Sequence, residues 1–145
     1  MIREDVMKLK NLLFIIFSMV VSNLFAQNQI PEEKLKSALS QIIDYSMKEN
    51  YSSAAGKMLF DKSGNLRTYN ADDKSELKSV KRLAKRIKAY LDLSDSYSYE
   101  SITYDTFKGL SRAELKVNFK SGDQDLTISF YFVSKDGKIL LQDLK

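Results

Sequence analysis

The spacing of apolar side chains divides the chain into a helical part and, after it, an extended part. Leu35, Ala38, Leu39, Ile42, Ile43 and Met47 recur at helical intervals, with Lys34, Lys36, Gln41, Asp44 and Lys48 mostly opposite. Pro31 followed by Glu32 and Glu33 opens this helix. Proline suits the first helical turn, and the two acids complement the positive end of the helix dipole. The expected span is 32–49, stopped at Asn50. Further along, Asp73-Lys74-Ser75-Glu76 has the spacing of a capping box, and the helix it opens is expected over 74–91. There Leu77, Val80, Leu83, Ala84, Ile87, Tyr90 and Leu91 fall within an arc of roughly 140°. Lys78, Lys81, Arg82, Lys85, Arg86 and Lys88 fill the other side. Between the two helices, Tyr51, Ala54, Ala55, Met58 and Leu59 favour a short second helix. The turn signal at 61–65 and the half-alternating Leu66-Arg67-Thr68-Tyr69 favour a hairpin instead. The helix is the preferred reading.

After Asp95 the period changes to two. Ala113, Leu115, Val117 and Phe119 alternate with charged and polar neighbours, which is the pattern of a strand with one dry face. Leu126, Ile128, Phe130 and Phe132 repeat it, with Thr127, Ser129, Tyr131 and Val133 on the other side. Asp136-Gly137 is a two-residue hairpin signal, and 139–144 forms a closing strand. Ser96 to Thr106 is rich in tyrosine and alternates less cleanly before the Lys108-Gly109 turn. Four consecutive strands joined by short turns predict an antiparallel meander, whose apolar face has only the upstream helices to pack on. The fold class expected is α+β.

The first residues read differently. Arg3, Lys8 and Lys10 precede ten uncharged residues, Leu12 to Val21. That run is short for a membrane span, which needs about 20 apolar residues, but fits the apolar core of an export signal. Small residues at Ser22 and Ala26 offer cleavage sites. We expect a signal peptide at 1–26 with cleavage after Ala26, cleavage after Ser22 being the fallback and an uncleaved anchor the alternative. A single domain at 27–145 would follow, and Met7 could serve as the start. Removing Arg3, Lys8, Lys10, Glu4 and Asp5 from 23 basic and 19 acidic side chains leaves a net charge of +3. So mild a charge favours solubility without implying nucleic acid. The expected location is secreted or periplasmic.

Composition narrows the chemistry. The chain has no cysteine and no histidine. This excludes thiol nucleophiles, cysteine–zinc and iron–sulfur sites, a lipidated cysteine, the Ser-His-Asp triad and histidine-ligated metals. Acid–base catalysis near neutral pH would require a carboxylate, lysine or tyrosine with a shifted pKa. No cofactor or metal is expected. Asp72-Asp73 and Glu32-Glu33 sit at helix starts, where the dipole accounts for them. The segment 61–67 has too few oxygen ligands for a calcium loop.

The run from Lys116-Val-Asn-Phe through Ile128-Ser-Phe-Tyr-Phe to Asp136-Gly-Lys-Ile-Leu-Leu is similar to the closing strands of small secreted NTF2-like proteins. Helices followed by a four-stranded meander also resemble that family and the cystatins. The resemblance implies a curved sheet wrapped around an N-terminal helix. Catalytic NTF2-like proteins use an Asp–His or Tyr–Asp pair. The first is impossible here, and the second could be assembled, for example, from Tyr104 and Asp105 with a carboxylate of another strand. The Gln-x-Val-x-Gly hairpin of cystatin inhibitors is not found, nor is the internal repeat of PepSY-like proteins.

Three functional readings follow. A noncatalytic domain could bind a small ligand or an envelope partner at the apolar hollow of the sheet, through Tyr97, Tyr99 and Tyr104 with Arg67 at its entrance. The face carrying Lys78, Lys81, Arg82, Lys85, Arg86 and Lys88 could dock on lipopolysaccharide, an acidic glycan or phospholipid. A histidine-free enzyme would need a buried carboxylate facing a tyrosine hydroxyl. Each has a plainer counterpart: a solvated helix face, aromatic residues packing in strands, a surface arginine.

Overall fold

A computed structural model describes residues 29–62 and 64–145, together with Met7 and Lys10. Apart from those two, the expected leader lies outside the described residues, as do its cleavage sites. In chain order the elements are α1 (Glu32–Met47), α2 (Tyr51–Ala55), β1 (Leu59–Lys62), β2 (Asn65–Thr68), α3 (Lys74–Asp92), β3 (Ser96–Phe107), β4 (Leu110–Ser121), β5 (Gln124–Lys135) and β6 (Lys138–Leu144).

α1 begins at Pro31, whose carbonyl accepts from the Leu35 N–H at 3.1 Å. It buries Leu35, Ala38, Leu39, Ile42 and Ser46. The helix ends two residues earlier than the apolar rhythm predicts, because Glu49 adopts a left-handed φ of 53°. Asn50 then caps α2 by accepting from the Ser53 N–H at 3.2 Å. The segment 51–69 holds both structures that its sequence allowed. A five-residue helix comes first, and the preferred reading fails beyond it, where β1 and β2 pair in an antiparallel hairpin. The reason is local: Gly64 turns the chain at a φ of 72°, and the apolar residues after Ala55 are too few and too close to continue a helical face. Asp73 caps α3 as expected, accepting from the Glu76 N–H at 2.9 Å.

The four long strands form an antiparallel sheet in the order β3-β4-β5-β6. Lys108-Gly109 and Asp136-Gly137 both have positive φ at their two central residues, the geometry whose twist suits two-residue hairpins. Ala113, Leu115, Val117, Phe119, Ile128, Phe130 and Phe132 are buried against Leu35, Leu39 and Ile42 of α1, Met58, and Val80 and Ile87 of α3. The expected apolar face is therefore real, but its two ends depart from simple alternation. Leu126 is 49 % exposed, because β6 ends opposite Phe130 and leaves the start of β5 uncovered. Val133, read as facing away from the core, is fully buried there. It joins Leu59 and Leu140 in a second cluster, packed with Leu66, Phe107 and Leu110.

β3 explains its own irregularity. Its pairing with β4 shifts between Tyr99 and Ser101, leaving Glu100 as the extra residue of a bulge. Tyr97 and Tyr99 pair with Phe119 and Val117, while Ile102 and Tyr104 pair with Leu115 and Ala113. All four thus lie on the inner side, two with odd numbers and two with even. A strict two-residue period could not have placed both pairs there.

Candidate functional site

α3 has two opposed faces. Val80, Ala84 and Ile87 are buried. Lys78, Lys81, Arg82, Lys85 and Arg86 are exposed on the opposite side, and Lys88 is half-buried. From Leu77 to Leu91 the sequence contains six cations and no acid. The flanking acids are already engaged: Glu76 pairs with Arg67 at 2.7 Å and Asp92 with Lys88 at 2.5 Å. Among the described residues, the other five cations of this face enter no ion pair. Lys81 lies 5.4 Å from the ring centre of Tyr51, and an Arg86 nitrogen lies 3.5 Å from the Leu144 carbonyl.

The tyrosines sit elsewhere, on the inner side of β3. Tyr97 and Tyr99 meet edge to face with ring centres 6.3 Å apart, and Tyr97 also packs on Phe119 at 6.0 Å. Tyr99 and Tyr104 line an open cleft of about 390 Å³ with Glu32, Lys36, Glu100, Ser101 and Ile102. The Lys36 ammonium lies 4.8 Å over the Tyr99 ring and 2.5 Å from Glu32. Its hydrogen bond to Glu32 raises the Lys36 pKa. Burial raises that of Tyr99, opposed by the Lys36 charge. The Tyr104 hydroxyl donates to the Ile30 carbonyl at 3.0 Å. This cleft is a surface feature. The hollow expected under the sheet is filled, since Leu115, Val117, Phe130 and Phe132 have no exposed surface at all.

Arg67 lies apart from the tyrosine cleft. Its guanidinium stacks 4.0 Å from the Phe60 ring centre and grips Glu76 through two bonds of 2.9 and 2.7 Å. Glu76 also accepts from the Asn70 N–H at 2.7 Å. Arg67 above all, with that backbone bond, holds the Glu76 carboxyl at a pKa of about 2.

Tyr104 and Asp105 do not assemble into a pair, because neighbouring strand residues point to opposite faces. Asp105 instead binds Arg112 on the outer face through bonds of 2.8 and 2.5 Å, which lower its pKa. A carboxylate and a tyrosine do stand opposite one another at Glu114 and Tyr131. That pair also faces outward. Glu114 accepts from Ser129 at 2.6 Å and Thr103 at 3.2 Å, and the Ser129 bond chiefly lowers its pKa. A carboxylate held ionised in this way is suited to accepting hydrogen bonds, not to delivering a proton. Among the described residues there is no group of three or more side chains fit to hold a metal. None of the helices described is long and apolar enough to cross a membrane.

No family model matches the chain, and no curated protein matches it. Solved structures do. A de novo designed NTF2-fold protein, NT-9, is 10 % identical with a TM-score of 0.49, covering 79 % of this chain and 86 % of its own. A Campylobacter jejuni protein described as an NTF2-like transpeptidase is 14 % identical with a TM-score of 0.46, covering 74 % of this chain and 97 % of its own. Helices packed on one face of a four-stranded antiparallel meander give this chain an α+β fold. Likeness at these identities concerns the fold alone, since one fold hosts many chemistries.

Sequence reasoning did not foresee the exposure of Leu93 and Leu126, nor that of Met47 at the end of α1. Leu93 carried a signal in its position, since it follows the last apolar residue of the helical arc. Leu126 carried none, because its exposure depends on where β6 stops.

Proposed function

We propose that this protein is an exported binding domain, without catalytic activity, that docks on anionic surfaces through the exposed face of α3. One observation carries the reading: six cations follow one another along that face without an intervening acid, and among the described residues five of them enter no ion pair. Where the side chains of a domain are not paired, a lysine near an anionic surface contributes about 1 kcal/mol of attraction. The filled core favours this surface over a ligand held beneath the sheet. Export rests on the positively charged, then apolar, residues at 1–26.

Binding to lipopolysaccharide or to anionic vesicles should weaken steeply as salt is raised, because exposed charges are screened. Reversing charge with Lys81→Glu and Lys85→Glu together should weaken it by at least about tenfold. Binding indifferent to both salt and the double substitution would overturn the proposal. Export has a separate test. Amino-terminal sequencing of the protein from the extracytoplasmic fraction should begin at Gln27, or at Asn23 if cleavage follows Ser22. Recovery only from the cytoplasm, with residues 1–26 intact, would refute it.

A second reading places a small ligand in the cleft beside β3. It is favoured by the Lys36 ammonium over the Tyr99 ring, an arrangement that offers both a charge and a flat apolar surface. A ligand captured there should be lost with Tyr99→Ala and retained with Lys81→Glu.

A further inference from the structure

Resting on the docking role above, we propose that the surface is an anionic phospholipid bilayer, into which Leu93 and Leu126 insert beside the cationic face of α3. Leu93 is 75 % exposed. Its backbone is still helical, with φ −91° and ψ 0°, and its N–H donates to the Ala89 carbonyl. At 100° per residue its side chain therefore projects between those of Arg82 and Arg86, away from the core. Leu126 lies at the same end of the molecule. The Asp95 N–H donates to the Lys120 carbonyl at 2.7 Å, and the Gly122 N–H donates to the Asp95 carboxylate at 2.8 Å. These bonds fasten the junction of α3 and β3 to the β4–β5 turn, from which β5 starts two residues before Leu126.

A lone exposed leucine needs no explanation. Two at one end, next to an unbroken row of cations, form the combination that surfaces lying on anionic bilayers use: apolar groups below the headgroups and basic groups level with the phosphates. Tyr97 joins them. It lies in one row with Phe119 and Leu126 across three strands, is 38 % exposed, and has the amphipathic ring that favours a membrane interface. A soluble polyanion would satisfy the charges and leave the leucines in water. A bilayer satisfies both.

The chain contains no tryptophan, so Leu93→Trp installs a single reporter. The full chain carrying it would be mixed with vesicles of phosphatidylglycerol and phosphatidylcholine in equal parts. Vesicles of phosphatidylcholine alone control for the apolar run at 12–21, and heparin supplies a polyanion without acyl chains. The emission should shift to the blue on the mixed vesicles only, and brominated acyl chains should quench it. Leu126→Asp should weaken vesicle binding by about tenfold or more while leaving heparin binding unchanged. Leu93→Asp, at an exposed helix end, should do the same, and circular dichroism melts would verify that both variants fold.

Vesicle binding with unshifted emission, an equal shift on phosphatidylcholine alone, or no effect of either aspartate would overturn insertion. Each of those results leaves charge-driven docking intact when heparin binding remains salt-sensitive. Loss of salt-sensitive binding to heparin and mixed vesicles alike would instead remove the docking role itself.

Discussion

Glu76 is engaged on every side. Both its oxygens take the Arg67 guanidinium, one also takes the Asn70 N–H, and its own N–H is capped by Asp73. The bond from Glu76 thus runs to the hairpin and not back to the cap residue, so half of the capping box is spent on tertiary structure. With the folded carboxyl at about 2 against an ordinary 4.5, the stabilisation is complete above the ordinary value. It fades as pH falls through that interval toward 2. Thermal midpoints measured across this range should fall with acid in the native protein and flatten in Glu76→Gln. An identical slope in both would assign acid sensitivity to other carboxylates. Ser46 offers the reverse case, a buried hydroxyl with no hydrogen-bond partner among the described residues. Ser46→Ala should leave stability unchanged or raise it by about 1 kcal/mol in denaturant titrations. The cap at Asp73 was legible from spacing alone. The Arg67 pair was not, because its partner lies nine residues away and the bond exists only once 59–68 folds as a hairpin.

Among the elements, β4 and β5 were the easiest to read, since uninterrupted alternation and a single buried face dictate one another. β3 resisted because one extra residue at Glu100 reverses the parity of everything before it. Deleting Glu100 should therefore send Tyr97 and Tyr99 to the outer face or force β3 to slip against β4. The expected signature is a lowered thermal midpoint and loss of the Tyr97–Phe119 ring contact in nuclear Overhauser spectra. Retention of that contact would mean that the bulge migrates along the strand. Leu126 and Val133 show a different limit. Their positions in the alternation are ordinary, and what decides their burial is the length of β6 and the presence of β1 beside it. Tyr99 and Tyr104 share one strand, and nothing in their spacing foretold that Lys36 would lie over the Tyr99 ring.

At the scale of the whole molecule, one filled core joins both layers. Phe130 has no exposed surface, and its ring centre lies 6.5 Å from that of Phe119. Phe130→Ala should cost about 3–5 kcal/mol in equilibrium unfolding, since the layers cannot collapse around so large a void. A loss below about 1 kcal/mol would indicate a core far looser than the one described. The pairing of Met58 with Leu141 has a consequence at the same scale. The Lys57 carbonyl accepts from the Leu141 N–H at 2.9 Å, and Met58 forms a parallel bridge to β6, so that margin of the sheet is occupied at Leu141. β3, on the opposite margin, has twelve residues and, among the described residues, a neighbour on one side only. Copies of this protein that add strand to strand would meet along β3. Two such borders meeting side by side would merge two four-stranded sheets into one continuous layer.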